Sequence, residues 1–136
     1  MPYFINPIED EKCIFLTCEG EMLPAEAVAI RYEAIGLLAA KGWNRIVVDG
    51  TELKSVSTAL ESFEFARELS SELPRSARIA LVVRPEQARP AELARKTVPY
   101  EGALLSVFSD PEFAAAWVKA PRPHERTEYQ PNGIVP

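Results

Sequence analysis

Apolar residues change their spacing several times along this chain, and each change marks an element. Tyr3 to Ile8 alternates loosely between apolar and polar, the period of a strand. Pro7 within it donates no ladder hydrogen bond, which suits an edge position. The charged run Glu9 to Lys12 reads as a turn, and Cys13-Ile14-Phe15-Leu16-Thr17-Cys18 as a second strand ended by Gly20. So short a connection predicts an antiparallel hairpin. From Pro24 to about Lys41 the period lengthens to that of a helix. Pro is tolerated at the start because first-turn N–H groups have no helical partner, and Gly42 suits the C-cap. Nothing of the Ser, Thr, Asp or Asn type sits just before Pro24, so the N-cap is weak. Ala27, Ile30, Ala34, Leu37 and Leu38 form one apolar stripe, and Val28, Tyr32, Ile35 and Ala39 a second beside it. That width predicts a helix packed hard against a sheet.

Arg45-Ile46-Val47-Val48-Asp49 is short and nearly continuous in its apolar character, the pattern of a strand buried on both faces of a parallel sheet. Gly50 to Ser57 reads as a loop. Thr58-Ala59-Leu60-Glu61 matches a capping box, and the helix behind it carries Leu60, Phe63, Ala66 (or Arg67) and Leu69 before stopping at Pro74. Ala77 to Val83 is the third buried strand, expected to lie parallel and next to 45–49 in the sheet centre; Arg84-Pro85 breaks it. Pro90 is placed to start a helix with Leu93, Ala94 and Thr97, ended by Pro99, and Leu104 to Phe108 is a final short strand. Asp110-Pro111 starts a last helix, with Glu112 in the first turn where negative charge suits the dipole. Phe113 and Trp117, four apart, are expected to face inward together, with Trp117 buried.

The order is hairpin, helix, strand, helix, strand, helix, strand, helix. It implies an α/β domain with one mixed sheet of about five strands: an antiparallel N-terminal hairpin, then parallel strands joined by right-handed crossovers, with about four helices. The length of 136 residues fits one domain. Residues 1–119 form it; after Ala120 the prolines at 121, 123, 131 and 136 sit among polar residues, so 120–136 reads as an extended or disordered tail. No internal repeat is evident.

Charge narrows the function classes. Lys plus Arg is 15 against 20 Asp plus Glu, a net −5, which argues against a nucleic-acid grip. No apolar run is long enough for a membrane span, and the acidic N-terminal stretch lacks the basic region of a signal peptide. Cys13 and Cys18 are five apart in one strand, on opposite faces, and are expected to be unpaired thiols. These features fit a cytoplasmic protein.

Three segments carry a resemblance to the SpoIIAA-like branch of the STAS superfamily, the fold of bacterial anti-sigma-factor antagonists, a branch also compared with the lipid-binding CRAL-TRIO (Sec14-like) fold. Arg45-Ile46-Val47-Val48-Asp49 resembles the strand that ends in Asp before the functional loop. Ser57-Thr58 resembles the helix start that follows. Val107-Phe108-Ser109-Asp110-Pro111-Glu112-Phe113-Ala114-Ala115-Ala116-Trp117-Val118 resembles the closing Phe-x-Asp, then Ala-x-x-Trp, pattern. The match spans about residues 3 to 119. It implies a non-enzymatic regulatory or protein-interaction module with a protein partner, or, on the CRAL-TRIO side, a binder of a small apolar ligand; a homodimer is a further possibility. In phosphoswitch antagonists a Ser at this helix start is phosphorylated by a partner kinase, usually in an Asp-Ser-x-Gly setting. Here the loop reads Lys54-Ser55-Val56-Ser57-Thr58-Ala59-Leu60, with no Asp before Ser57 and no Gly after it.

Candidate chemistry gathers where the strands end. Asp49, Thr51, Ser55, Ser57 and Thr58 follow the first buried strand, and in open α/β sheets ligands bind outside the carboxyl ends of the strands. Hydroxyls there suit binding or accepting phosphate; equally, Thr58 caps its helix and the serines fill a solvated loop. Arg84 and Arg89, with Arg95 and Lys96, follow the next strand and suit an acidic ligand or partner, while Glu86, Glu92 and Glu101 offset much of that charge. His124 lies in the Pro-rich tail without a scaffold for catalysis. There is no Gly-rich phosphate cradle, no Ser-His-Asp set and no metal-ligand spacing; Trp43 and Trp117 read as core. No enzyme activity, metal or cofactor is expected.

Overall fold

The computed structural model describes residues 3–20, 23–53, 59–89, 92 and 104–120. Along the chain run β1 (Tyr3–Ile8), β2 (Cys13–Gly20), α1 (Pro24–Lys41), β3 (Arg45–Leu53), α2 (Ala59–Ser71), β4 (Arg78–Val82), a short helical stretch α3 over 85–89, β5 (Leu104–Phe108) and α4 (Pro111–Lys119). The strands form one five-stranded sheet in the order β1-β2-β3-β4-β5. β1 and β2 are antiparallel, with Ile8 opposite Cys13 across the Glu9–Lys12 turn. The pairs β2·β3, β3·β4 and β4·β5 are parallel. Residues 45–49 and 78–82 are neighbours in register, as their continuous apolar character predicts, and Pro7 lies on the edge strand β1.

This strand order decides where the helices go. Each parallel connection moves one strand along in the same direction, and crossovers of one hand then place their helices on one face. Ile30, Ala34 and Leu38 of α1 and Phe65, Ala66 and Leu69 of α2 accordingly share a core with Ile14, Leu16, Ile46, Val48, Ile79 and Leu81. Among the described residues, the opposite face receives α4 alone, which is not a crossover. Its Ala114 and Val118 close over Cys13, Val47, Ala80 and Val82. Gly42 caps α1 at φ 69, a left-handed conformation that favours glycine. Asp110 caps α4 by accepting the Glu112 N–H at 2.8 Å. As the sequence around Pro24 implies, Leu23 gives α1 no side-chain cap, and Glu26 Oε1 accepts the Leu23 N–H instead at 3.2 Å.

Several expectations are corrected. β3 does not stop at Asp49 but runs to Leu53, so Gly50–Leu53 is strand rather than loop: Glu19 and Gly20 of β2 supply Glu52 and Leu53 with a partner. The second stripe of α1 is not buried as a whole. Ile35 packs on the core, while Val28, Tyr32 and Ala39 are exposed. A helix begins at Pro85, before Pro90, because a proline in the first turn gives up no helical hydrogen bond. Phe113 is 69% exposed. Ala114 and Val118 hold the contact line of α4, which turns Phe113 outward and leaves Trp117 half-buried against Phe108, ring centroids 5.7 Å apart. Leu60, Phe63 and the helix expected over 90–99 lie outside the described side chains, as does the 121–136 part of the tail.

Ion pairs tie the layers together. Arg31 of α1 reaches Glu68 of α2 and Glu72 just beyond its end, each at 3.1 Å. Lys41 at the end of α1 holds Glu9 at 2.6 Å, and Lys119 at the end of α4 holds Glu11 at 3.3 Å. The hairpin turn is thus gripped from both sides of the sheet.

Candidate functional site

The carboxyl ends of β3 and β4 bring three of the sequence-selected residues together. The pairing of β2 with β3 shifts register between Thr17 and Glu19, which face Asp49 and Glu52 respectively, so β3 carries one residue more than β2 across this stretch. Such a bulge bends the strand and re-aims its side chains. Asp49 fills the bulge: its Oδ1 accepts both the Thr51 N–H at 2.9 Å and the Thr51 hydroxyl at 2.7 Å. The Thr51 carbonyl in turn accepts Arg84 Nη1 at 3.3 Å. Arg84 also donates from Nε to Glu86 at 3.1 Å. A residue at the end of β4 is thereby fixed to the bulge of β3, and the two halves of the sequence-selected site meet at Thr51.

The electrostatics of this rim are acidic. Glu19 and Glu52 are paired across β2 and β3, and Asp49 lies three residues before Glu52 on β3. Arg84 is shared between Thr51 and Glu86. Arg89, also selected from sequence, is exposed on the helical stretch behind β4, and the structure records no contact between it and Asp49 or Thr51. Ser55, Ser57 and Thr58 lie outside the described residues. The pairing of Glu19 with Glu52 escapes a reading of spacing, because strand register alone joins them.

The two cysteines are free and buried, one on each face, as their spacing predicts. Burial, with Glu11 adding to it, pushes the Cys13 thiol up to about 11. Burial and the nearby Asp49 carboxylate push Cys18 up to about 12. Both are protonated at neutral pH, which makes them packing groups rather than nucleophiles. Among the described residues there is no cluster of three or more potential metal ligands, and no helix is long and apolar enough to cross a membrane.

A second polar feature is built on the α4 face. Arg78, 5% exposed, projects from β4 under the end of α4. Its Nη1 donates to the Trp117 carbonyl at 2.7 Å, and its guanidinium lies 5.1 Å from the Trp117 ring centre. A cation at this end of a helix meets the negative end of the dipole, so Arg78 serves to dock α4.

No family model matches the sequence, and no curated protein matches it. Two solved structures share its architecture. An anti-sigma factor antagonist from Mycobacterium paratuberculosis aligns with a TM-score of 0.62 at 17% identity, over 88% of this chain and 94% of that one. An uncharacterised protein of the DUF3478 family with a SpoIIAA-like fold, from Shewanella loihica, aligns with a TM-score of 0.55 at 17% identity, over 86% and 92%. The chain therefore has the SpoIIAA-like fold that its Asp-ended strand and closing Trp helix resemble.

Proposed function

We propose that the chain is a regulatory module that binds a partner protein through the rim at the carboxyl ends of β3 and β4. The observation that carries this reading is the Asp49–Thr51–Arg84 assembly. It holds the bulge of β3 in one shape, directly before the segment containing Ser55, Ser57 and Thr58. The likeness to an anti-sigma factor antagonist supports a protein as the partner. The carboxylates of Glu19, Asp49 and Glu52 favour a partner that presents positive charge.

The same reading makes Ser57 the acceptor of a regulatory phosphate, with Ser55 and Thr58 behind it. A phosphate adds about −1.5 to −2 charges, and beside an already acidic rim it shifts which partners bind. The test is capture from host extract by wild type, Ser57→Ala, Ser57→Asp and Arg84→Ala, with the bound proteins identified and residues 55–58 examined for phosphate. The expected result is a partner held by wild type and Ser57→Ala, and bound differently by Ser57→Asp and Arg84→Ala. Equal capture by all four, with no phosphate on residues 55–58, defeats the proposal.

A further inference from the structure

The helix α4 closes only part of its face of the sheet. It lies over β3, β4 and β5, and the hairpin strands beside it carry a strip that stays partly open. Phe15 packs at the margin of the α4 core. Paired residues share a face of a sheet, and alternate residues along a strand return to it. Asn6, opposite Phe15, and Phe4, opposite Thr17, therefore lie on this same side. Phe4 is 56% exposed and Asn6 is exposed, while Phe15 and Thr17 are half-buried. The strip runs up from the hairpin turn, past two phenylalanine rings at diagonal positions of the pair, to Thr17 and then to Glu19 at the acidic rim. Exposed aromatic rings beside a closed core mark a contact surface.

The course of the chain identifies the occupant. At the end of α4, Lys119 holds Glu11 of the hairpin turn at 3.3 Å, and Val118 packs in the same core as Cys13. The chain thus leaves the helix at the foot of the strip. Ala120 has φ −64 and ψ 146, the values of a polyproline II segment, as a following proline requires. Residues 121–136 come next, outside the described residues, and open with Pro121-Arg122-Pro123-His124-Glu125-Arg126. Segments of this kind dock on surfaces lined by aromatic rings, because the extended form is already set and little entropy is lost.

Length and charge agree with that occupant. From Cys13 to Glu19, β2 climbs about 20 Å. At about 3.1 Å per residue, a polyproline II segment covers nearly the same distance between Ala120 and Arg126. Pro121 and Pro123 then pass Phe15 and Phe4, and the Arg126 guanidinium arrives where Glu19 and Glu52 are paired. We propose that residues 121–126 form a strap packed across the open part of the α4 face, with Pro121 and Pro123 on the rings of Phe15 and Phe4 and Arg126 at Glu19. The strap completes the layer that α4 begins.

Two measurements on the full chain test this. In the first, Arg122→Cys is combined either with Asn6→Cys on the strip or with Ala116→Cys on the exposed side of α4. The native Cys13 and Cys18 are buried and do not compete. Under mild oxidation the Asn6 pair closes within one chain at least about tenfold faster than the Ala116 pair. Ala116 lies only about 5 Å along the helix from Lys119, so an undocked segment gives the reverse order. In the second, trypsin cuts after Arg126 slowly in wild type, and Phe4→Ala, which truncates a mostly exposed ring, speeds that cut by about tenfold. Closure of the Ala116 pair as fast as the Asn6 pair overturns the proposal. So does a cut after Arg126 that Phe4→Ala leaves unchanged. A disulfide that joins two chains instead of closing one overturns it as well, since the strip then takes the segment of a second copy.

Discussion

The two faces of the sheet are built from the same strands and closed by different means. On the α1–α2 face, large aliphatic side chains of β2, β3 and β4 meet two long helices, and Ile14, Leu16, Ile46, Ile79 and Leu81 are sealed. On the α4 face the strands present Cys13, Val47, Ala80 and Val82 to a nine-residue helix whose buried residues are Ala114 and Val118. That second layer is thin. It relies on a charged residue, Arg78, to hold the helix end, and it leaves the hairpin side open, where Phe4 is 56% exposed. The difference follows from topology, since crossovers of one hand fill one face first. Stability should therefore reside mainly on the α1–α2 side.

The comparison is tested most severely by Leu81→Ala. Leu81 is fully buried between β3, β5 and the two crossover helices, and deletion of such a side chain costs about 2–5 kcal/mol. Denaturant midpoints should show this as the largest loss among single truncations. If Val82→Ala on the thin face costs as much, the two layers contribute equally and the comparison fails.

The cysteines probe both faces by pH. In the fold both thiols stay neutral well above the ordinary value of 9.0, Cys13 to about 11 and Cys18 to about 12. An unfolded thiol ionises near that ordinary value, so the unfolded chain releases its protons first as pH rises. The stability contributed by the neutral thiols is complete below about pH 9 and is lost as pH climbs through the folded values. By pH 10 the two together should lower stability by about 2–3 kcal/mol, and a Cys13→Ala, Cys18→Ala double variant should lack this part of the alkaline decline. Alkylation followed by mass spectrometry should find Cys13, under the thinner layer, reacting before Cys18. The reverse order would mean that α4 protects its face better than α1 and α2 protect theirs.

How much of this was legible in the sequence depends on what carries the signal. The buried strands were, because Ile46-Val47-Val48 and Ile79-Ala80-Leu81 are apolar on both faces and need no partner to be recognised. The end of β3 was not, since Gly50-Thr51-Glu52 has no strand period of its own and becomes strand only by pairing with Glu19 and Gly20. Asp49, Thr51 and Arg84 were selected separately. Their meeting required the bulge, which spacing does not reveal. On α4 the four-residue spacing of Phe113 and Trp117 was a sound pattern, but Ala114 and Val118, also four apart and smaller than the aromatic pair, set the contact line. On α1 the stripe Ala27, Ile30, Ala34, Leu37 and Leu38 was legible and faces the core; that the neighbouring stripe stays largely outside it was not, because two adjacent apolar stripes do not show in the sequence where the sheet contact ends.

The docking of α4 by Arg78 gives an intermediate effect. Arg78→Ala removes a charge-assisted hydrogen bond to the Trp117 carbonyl and the stacking on its ring, at an expected cost of about 1.5–3 kcal/mol. Trp117→Ala should cost about 2 kcal/mol, below the range of a fully buried tryptophan. Because the two residues touch, the double variant should lose less than the sum. Strict additivity in chemical denaturation would show that Arg78 acts elsewhere and that α4 is held by Ala114 and Val118 alone.

Phe113→Ala should have the smallest effect. A phenylalanine four residues before a tryptophan on a nine-residue helix invites assignment to the core, and truncation there would cost about 3–5 kcal/mol. In the fold its ring is 69% exposed, and the helix turns it away from the line through Ala114 and Val118. Little apolar area returns to water on truncation, and alanine has the higher helix propensity, which offsets part of that loss. The net change should lie within about 0.5 kcal/mol. Denaturation of Phe113→Ala beside Trp117→Ala separates the two positions cleanly. A Phe113 loss matching that of Trp117 would mean that α4 is rotated about its axis relative to the arrangement described, and that its face of the sheet is better covered than Phe4 and the short helix indicate.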